Sequence, residues 1–356
     1  MILSLLKKKI KLAADPRLLA MKAMVTGWYW PADGMRCDRL ERELLMNVKG
    51  LKYENVPVSI ADTETHIHCA YSLNERASGD AVVFAHGLGA GLAFFYKNIQ
   101  PVIDAGRSVY LFDWLGMGRS GRPAFPHYPQ NSVATIIDFF TLSFGQWMAR
   151  MGLQRVILIG HSLGGYLSAL YALEHPEKIS KLILLSPVGL PLNGVNTKDR
   201  VTAVTGHEVP NWLVFLWNNN YTPQSIVRAL GPIGPRLARS YVNRRFSFLP
   251  EPERSSLGDY LYEISADVGS GEYALAGILM PGAWAREPLH DRLPDLQMPC
   301  HFMYGDEDWM DWRHAEEAVK KMSCERSVVC IPRSGHHLYI DNPDEFNRVL
   351  SRLILS

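Results

Sequence analysis

A serine framed by glycines is the first residue in this chain with a spacing suited to chemistry. Gly160-His161-Ser162-Leu163-Gly164, extended by Gly165, directly follows the apolar run Arg155–Ile159 (RVILI) and directly precedes a helical pattern over Leu163–His175. A sharp strand-to-helix turn there leaves the serine hydroxyl standing clear at the tip of a sheet. Small residues two before and two after it, Gly160 and Gly164, let the flanking backbones close up. The helix N-terminus beneath the serine favours negative charge developing on a bound oxygen. His161 adjoins the serine, but the turn points neighbouring side chains apart, so it reads as packing rather than as a base.

A hydroxyl is a weak nucleophile until a base takes its proton. Ser334-Gly335-His336 follows the run Ser327–Ile331 (SVVCI) and offers that base, with His337 as the immediate competitor. An acid to orient the imidazole is expected after Cys300–Tyr304 (CHFMY), where Gly305-Asp306-Glu307-Asp308 crowds carboxylates into one loop and Asp311 lies just beyond. The G-x-x-D spacing favours Asp308; Asp306 also reads as a turn residue and Asp311 as a helix cap. Two backbone N–H groups complete the set. One belongs to Leu163, after the serine, and the other to Leu88 in the glycine-rich His86–Gly91 (HGLGAG), which follows Ala81–Ala85 (AVVFA).

Positioning these groups requires a sheet. Ala81–Ala85, Ser108–Phe112, Arg155–Ile159, Lys181–Leu185, Cys300–Tyr304 and Ser327–Ile331 are short apolar runs without alternation, as expected of parallel strands covered on both faces. Helical patterns such as Val133–Met151 and Leu163–His175 lie between them, which predicts an α/β, mostly parallel, doubly wound sheet. The rhythm breaks between about Pro187 and Pro288, in a stretch with Trp212, Phe215, Trp217, Tyr221, Trp284 and a Gly231–Pro235 punctuation. An insertion of that length is expected to fold as a largely helical cap over the strands' carboxyl ends, where ligands bind in open α/β sheets. The chain thus divides into residues 1–78 with edge strands, a core of 79–186 and 289–356, and a cap of 187–288.

Formal net charge is +1, which gives no global electrostatic case for nucleic acid. Five scattered cysteines without a C-x-x-C fit a reducing compartment and suggest neither a disulfide framework nor a zinc ribbon. His66 and His68 share a strand face with no further ligand in view, so neither metal nor cofactor is implied. Gly116-Met117-Gly118-Arg119-Ser120-Gly121 spells a dinucleotide fingerprint, yet it runs into Arg122-Pro123 instead of a helix and reads as a structural turn. Met1–Ala14 places Lys7, Lys8, Lys9 and Lys11 after Ile2, Leu3, Leu5 and Leu6. A basic helix on a membrane surface, a mitochondrial leader and a frayed terminus all stay open there.

HGLGAGLAFFYKN, FDWLGMGRS, GHSLGGYLSALYALEHPEKI and SGHHLYIDNPDEFN together resemble one subfamily of α/β-hydrolases. It holds the animal lipase co-activator, the N-acyl-phospholipid lipase and the yeast cardiolipin-specific deacylase, and the GDEDWMD loop is most similar to the fungal deacylase-like branch. The likeness covers most of residues 80–190 and 295–350. It implies an α/β-hydrolase fold with Ser162, Asp308 and His336 as catalytic residues, acting on glycerophospholipids such as cardiolipin or N-acyl phospholipids at an intracellular membrane surface, mitochondrial or cytoplasmic. The co-activator branch lacks the serine that this chain keeps. Members also carry H-x-x-x-x-D, matched by His336 and Asp341, which implies lysophosphatidic acid acyl transfer as an alternative to hydrolysis; an adaptor role for another lipase is a third. Asn342-Pro343-Asp344-Glu345 alternatively makes Asp341 a mere neighbour of a helix start. Phe94, Phe95 and Tyr96 suit an acyl chain. Ile226–Phe246 holds Arg228, Arg236, Arg239, Arg244 and Arg245 with no acid, which suits either a phosphate headgroup or a solvated face.

Overall fold

The computed structural model describes residues 32–75, 77, 79–191, 211–281 and 283–356. The lysine-rich start Met1–Ala14 lies outside the described residues. Eight strands form one sheet: β1 (Lys52–Ile60), β2 (Thr63–Ser72), β3 (Ala81–Ala85), β4 (Val109–Phe112), β5 (Val156–His161), β6 (Ile179–Leu185), β9 (Cys300–Gly305) and β10 (Arg326–Ile331). A two-stranded ribbon, β7 (Leu279–Met280) with β8 (Trp284–Ala285), stands apart. The sheet order is β1-β2-β4-β3-β5-β6-β9-β10, and only β2 runs antiparallel to its neighbours.

The apolar runs become strands because both sheet faces are covered. Every residue of β4, β5 and β9 is buried, with one core cluster on each side of the sheet. At the opposite extreme, β1 carries Pro57 and is mostly wet, as suits an edge strand. It reverses into β2 through Ala61 and Asp62, both at positive φ (45° and 60°), a two-residue hairpin turn built without glycine. Ser132 starts the helix Val133–Arg150 by accepting the Thr135 N–H, and Asn342 with Pro343 starts the final helix Pro343–Leu355.

The strand order fixes where a ligand can sit. From β3 the chain moves to β4 on one side, then returns to β5 on the other, so β3 and β5 are hydrogen-bonded neighbours with Ala85 opposite Gly160. Loops leaving the carboxyl ends of such a pair diverge and leave a crevice. The HGLGAG loop and the serine turn leave those two ends. Between β6 and β9 the chain forms the helices Asn211–Asn218, Pro223–Ala229, Gly234–Arg245, Glu251–Ala266 and Ala274–Ile278. The helix Gly34–Leu44 ties this insertion to the core. Arg36 pairs with Asp259 and Glu263 at 2.7 Å each, while Glu41 is buried against His68 (2.8 Å) and Arg119 (2.6 Å).

Candidate active site

Ser162 bridges β5 and the helix Leu163–Glu174 at φ 54°, ψ −118°. A positive φ on serine costs about 1–3 kcal/mol and persists only where the surroundings over-determine it. They do so here: the Ser162 N–H donates to the Leu185 carbonyl (2.9 Å), and its own carbonyl accepts from Tyr166 (3.1 Å) and Val188 (3.2 Å). The flanking glycines are sterically required. A Cβ on Gly160 would lie 2.6 Å from Ser168 Oγ and 2.7 Å from the Gly164 carbonyl oxygen. One on Gly164 would overlap the His86 carbonyl and sit 2.7 Å from that of Ala85.

His336 Nε2 lies 3.0 Å from Ser162 Oγ, and its Nδ1 lies 3.2 and 3.3 Å from the two carboxylate oxygens of Asp308. The Asp308 side chain is fully buried, and its Oδ1 also accepts the Met310 N–H at 3.0 Å. A carboxylate at Nδ1 holds the ring hydrogen there and leaves a lone pair at Nε2, facing the hydroxyl. Neighbouring acids have other work. Asp306 Oδ1 accepts the Ser334 N–H (3.0 Å) and so laces the loop after β9 to the loop after β10. Asp311 accepts the Arg313 N–H (3.0 Å) at the start of the helix Arg313–Val319. His337 turns away from the serine, packed against Phe246 and Phe94.

The amides of Leu88 and Leu163 donate to no described group. The loop bearing Leu88 is held by a lattice that sequence reasoning placed only as a turn. Asp113 accepts the N–H groups of Leu92 and Arg119, each at 2.7 Å, and Gly116 donates to Gly121 across the turn (2.9 Å). His86 Nε2 accepts the Trp114 N–H (3.1 Å), its Nδ1 reaches the Gly87 carbonyl (2.8 Å), and the Trp114 indole donates to the His86 carbonyl (2.9 Å). Aspartate and tryptophan side by side after a buried strand were the available signal.

The contacts of two further residues, His161 and Asp341, were not legible. His161 Nε2 lies 2.8 Å from the His336 carbonyl, and its Nδ1 lies 3.4 Å from the Tyr339 hydroxyl. Burial, reinforced by the neighbouring His336 imidazole, pushes His161 well below its ordinary range. The neutral ring therefore donates from Nε2 and fixes the backbone of His336. Asp341 accepts the Gly335 N–H (2.8 Å) and takes a two-pronged grip from Arg245 on the helix Gly234–Arg245 (2.9 and 2.6 Å). The motif partner of His336 thus braces the turn before it and ties that turn to a cap helix through Arg245.

That pairing corrects the arginine reading. Arg245 and Arg239, expected to hold a phosphate, are engaged by Asp341 and Asp259 respectively. Arg228 is buried against Glu272. The acids that claim them lie outside the acid-free window, so only the fold reveals them. Arg236 and Arg244 stay exposed, and Arg244 lines a cavity of about 440 Å³ over Ser162. Leu88, Phe94, Val227, Leu237 and Leu261 form much of its wall. A wider groove of about 880 Å³, lined by Tyr241, Phe248, Trp309 and Arg333, adjoins it and shares His336.

Burial also pushes His86 below, and His337 well below, their ordinary range, so each is neutral in the fold as His161 is. Above pH ~6.5 neither the folded nor the unfolded chain protonates these rings, and they contribute nothing to pH dependence. Below it the unfolded chain takes up protons that the fold refuses, so stability is lost as pH falls, by up to about 1.4 kcal/mol per pH unit per ring. Urea titrations between pH 6.5 and 5 are expected to give a shallower slope for His337→Phe than for wild type. Equal slopes would show that His337 is not held neutral.

The fold and the serine turn at its crevice define an α/β-hydrolase. The family model described as alpha/beta hydrolase fold matches residues 80–343, and the chain belongs to that family. Over 283 residues it is 36% identical to a probable 1-acylglycerol-3-phosphate O-acyltransferase from Oryza sativa subsp. japonica, covering 78% of this chain and 67% of that one. It is 31% identical over 289 residues to the (lyso)-N-acylphosphatidylethanolamine lipase of Homo sapiens, covering 78% and 80%. A bacterial membrane phospholipase A shares the fold at TM-score 0.62 and 21% identity, with 95% of each chain covered.

Proposed function

We propose that the protein is a serine hydrolase that releases fatty acids from glycerophospholipids such as cardiolipin or N-acyl phospholipids. The observation that carries the reading is the alignment of Ser162 Oγ with His336 Nε2 at 3.0 Å, at the floor of an apolar cavity. Ser162 attacks the ester carbonyl while His336 takes its proton, and Asp308 stabilises the imidazolium. The amides of Leu88 and Leu163 receive the developing oxyanion. Collapse expels the lyso-lipid alcohol, protonated by His336. Water, activated by the same ring, then frees the acid from Ser162.

Purified protein given detergent-dispersed phospholipids is expected to release free fatty acid, read by mass spectrometry. Absence of release across cardiolipin, N-acyl phosphatidylethanolamine and phosphatidylcholine would overturn the reading. A second reading, transfer of the same acyl group to lysophosphatidic acid in place of water, is supported by the likeness to the rice acyltransferase. Adding that acceptor to the assay separates the two by product.

A further inference from the structure

The helix Gly234–Arg245 buries one row of residues, Gly234, Ala238 and Val242, against the rest of the cap. The adjacent row, one position earlier at the same spacing of four, faces outward: Ile233 is 48% exposed, Leu237 41% and Tyr241 40%. Phe248 (54%) and Ile226 (40%) continue this surface beyond the helix. Leu237, Tyr241 and Ile226 also line the cavity over Ser162, so the outward apolar row and the cavity wall are continuous at its mouth. Trp309, 51% exposed, stands beside His336 in the adjoining groove. Large apolar side chains gathered at one opening mark an interaction site rather than scattered surface.

Charge selects the occupant. The helix carries four arginines and no acid. Arg239 and Arg245 are consumed by Asp259 and Asp341, whereas Arg236 and Arg244 are exposed and pair with no carboxylate among the described residues. Glu307 and Asp344 line the adjoining groove at the Tyr241 and Phe248 end of this face, whereas Ile233 and Arg236 at its other end line neither that groove nor the cavity. Apolar side chains flanked by unpaired guanidinium groups match a bilayer with anionic headgroups, where the rings and branched chains enter the acyl boundary and the cations stay at the phosphates. A polar protein surface would leave the apolar row uncovered.

We infer that the outward face of the helix Gly234–Arg245, from Ile233 to Phe248, docks on an anionic phospholipid bilayer and sets the cavity mouth against it. An acyl chain then passes from membrane to Ser162 without crossing water. The inference deepens the lipid-hydrolase reading and rests on it only for what enters the cavity.

Flotation of the full chain with vesicles of phosphatidylcholine, with and without phosphatidylglycerol, tests it. Wild type is expected to float with the anionic vesicles and to be released by high salt. Ile233→Asp and Arg236→Glu, two exposed positions that line neither cavity, are each expected to weaken binding about tenfold or more. Both should hydrolyse a water-soluble short-chain ester at the wild-type rate, which confirms that they fold. Ser162→Ala is expected to float like wild type, so loss of catalysis and loss of docking are separable. Failure of wild type to float, or unchanged binding in both surface variants, would overturn the inference. So would a dimer in solution that Ile233→Asp converts to a non-floating monomer, since a second copy would then cover the face.

Discussion

Ser162→Ala is expected to lower fatty-acid release by about 10⁵–10⁶-fold and to abolish covalent labelling by a fluorophosphonate. The magnitude follows from how the residues act as a unit: without the nucleophile, His336 and Asp308 have no alcohol to activate, and only binding and the oxyanion donors are left. The substitution removes one oxygen and keeps the Cβ, so the turn at φ 54° retains the same backbone hydrogen bonds. Folding is therefore expected to be unaffected, and a thermal melt close to wild type makes the activity loss interpretable. Undiminished release or labelling would place the nucleophile elsewhere and remove the proposed mechanism.

Much of this site was readable because chemistry and architecture are coupled at strand ends. Val156–Ile159 is apolar throughout since β5 is covered on both faces, and such a run announces a strand regardless of its partners. Once β5 is placed, the glycines around Ser162 have a steric reason visible in the sequence. The same logic brought Asp308 and His336 to the ends of β9 and β10. The G-x-x-D spacing favoured Asp308, but the partners of Asp306 and Asp311 were out of reach, because they are set by the loop after β10 and by the helix Arg313–Val319.

What stayed hidden depends on contacts between distant segments. The arginine-rich window contains no acid of its own, yet Asp259, Glu272 and Asp341 reach it from elsewhere in the chain. The hairpin through Ala61 and Asp62 lacks the glycine that usually signals such a turn, so β1 left only a faint trace. His161 reads in the sequence as a packing residue, and its hydrogen bond to the His336 carbonyl depends on the loop after β10 returning across three strands to the end of β5. These braces explain how a histidine on a loop keeps its ring near the serine. Asp341 and Arg245 hold the turn before it, His161 holds its carbonyl, and Asp308 holds its ring.

The last of those contacts carries the second large effect. Asp308→Asn is expected to reduce fatty-acid release about 10⁴-fold while leaving the fold intact. The amide is nearly isosteric, and its oxygen can still accept the Met310 N–H that Asp308 Oδ1 accepts at 3.0 Å. Its NH2 group then faces His336 Nδ1 as a donor. The imidazole is driven to the opposite tautomer, with its hydrogen at Nε2, 3.0 Å from Ser162 Oγ, where a lone pair is needed. The imidazolium formed during attack also loses its only adjacent carboxylate among the described residues. Asp306→Asn and Asp311→Asn are the matched controls. Each removes one charge from the same stretch but leaves the contact to Nδ1 untouched, so each is expected to stay within about tenfold of wild type. A loss in Asp306→Asn or Asp311→Asn comparable to that in Asp308→Asn would mean that loop charge, not the hydrogen bond at Nδ1, sets the rate. Retained activity in Asp308→Asn alone would show that His336 holds its working tautomer without this partner.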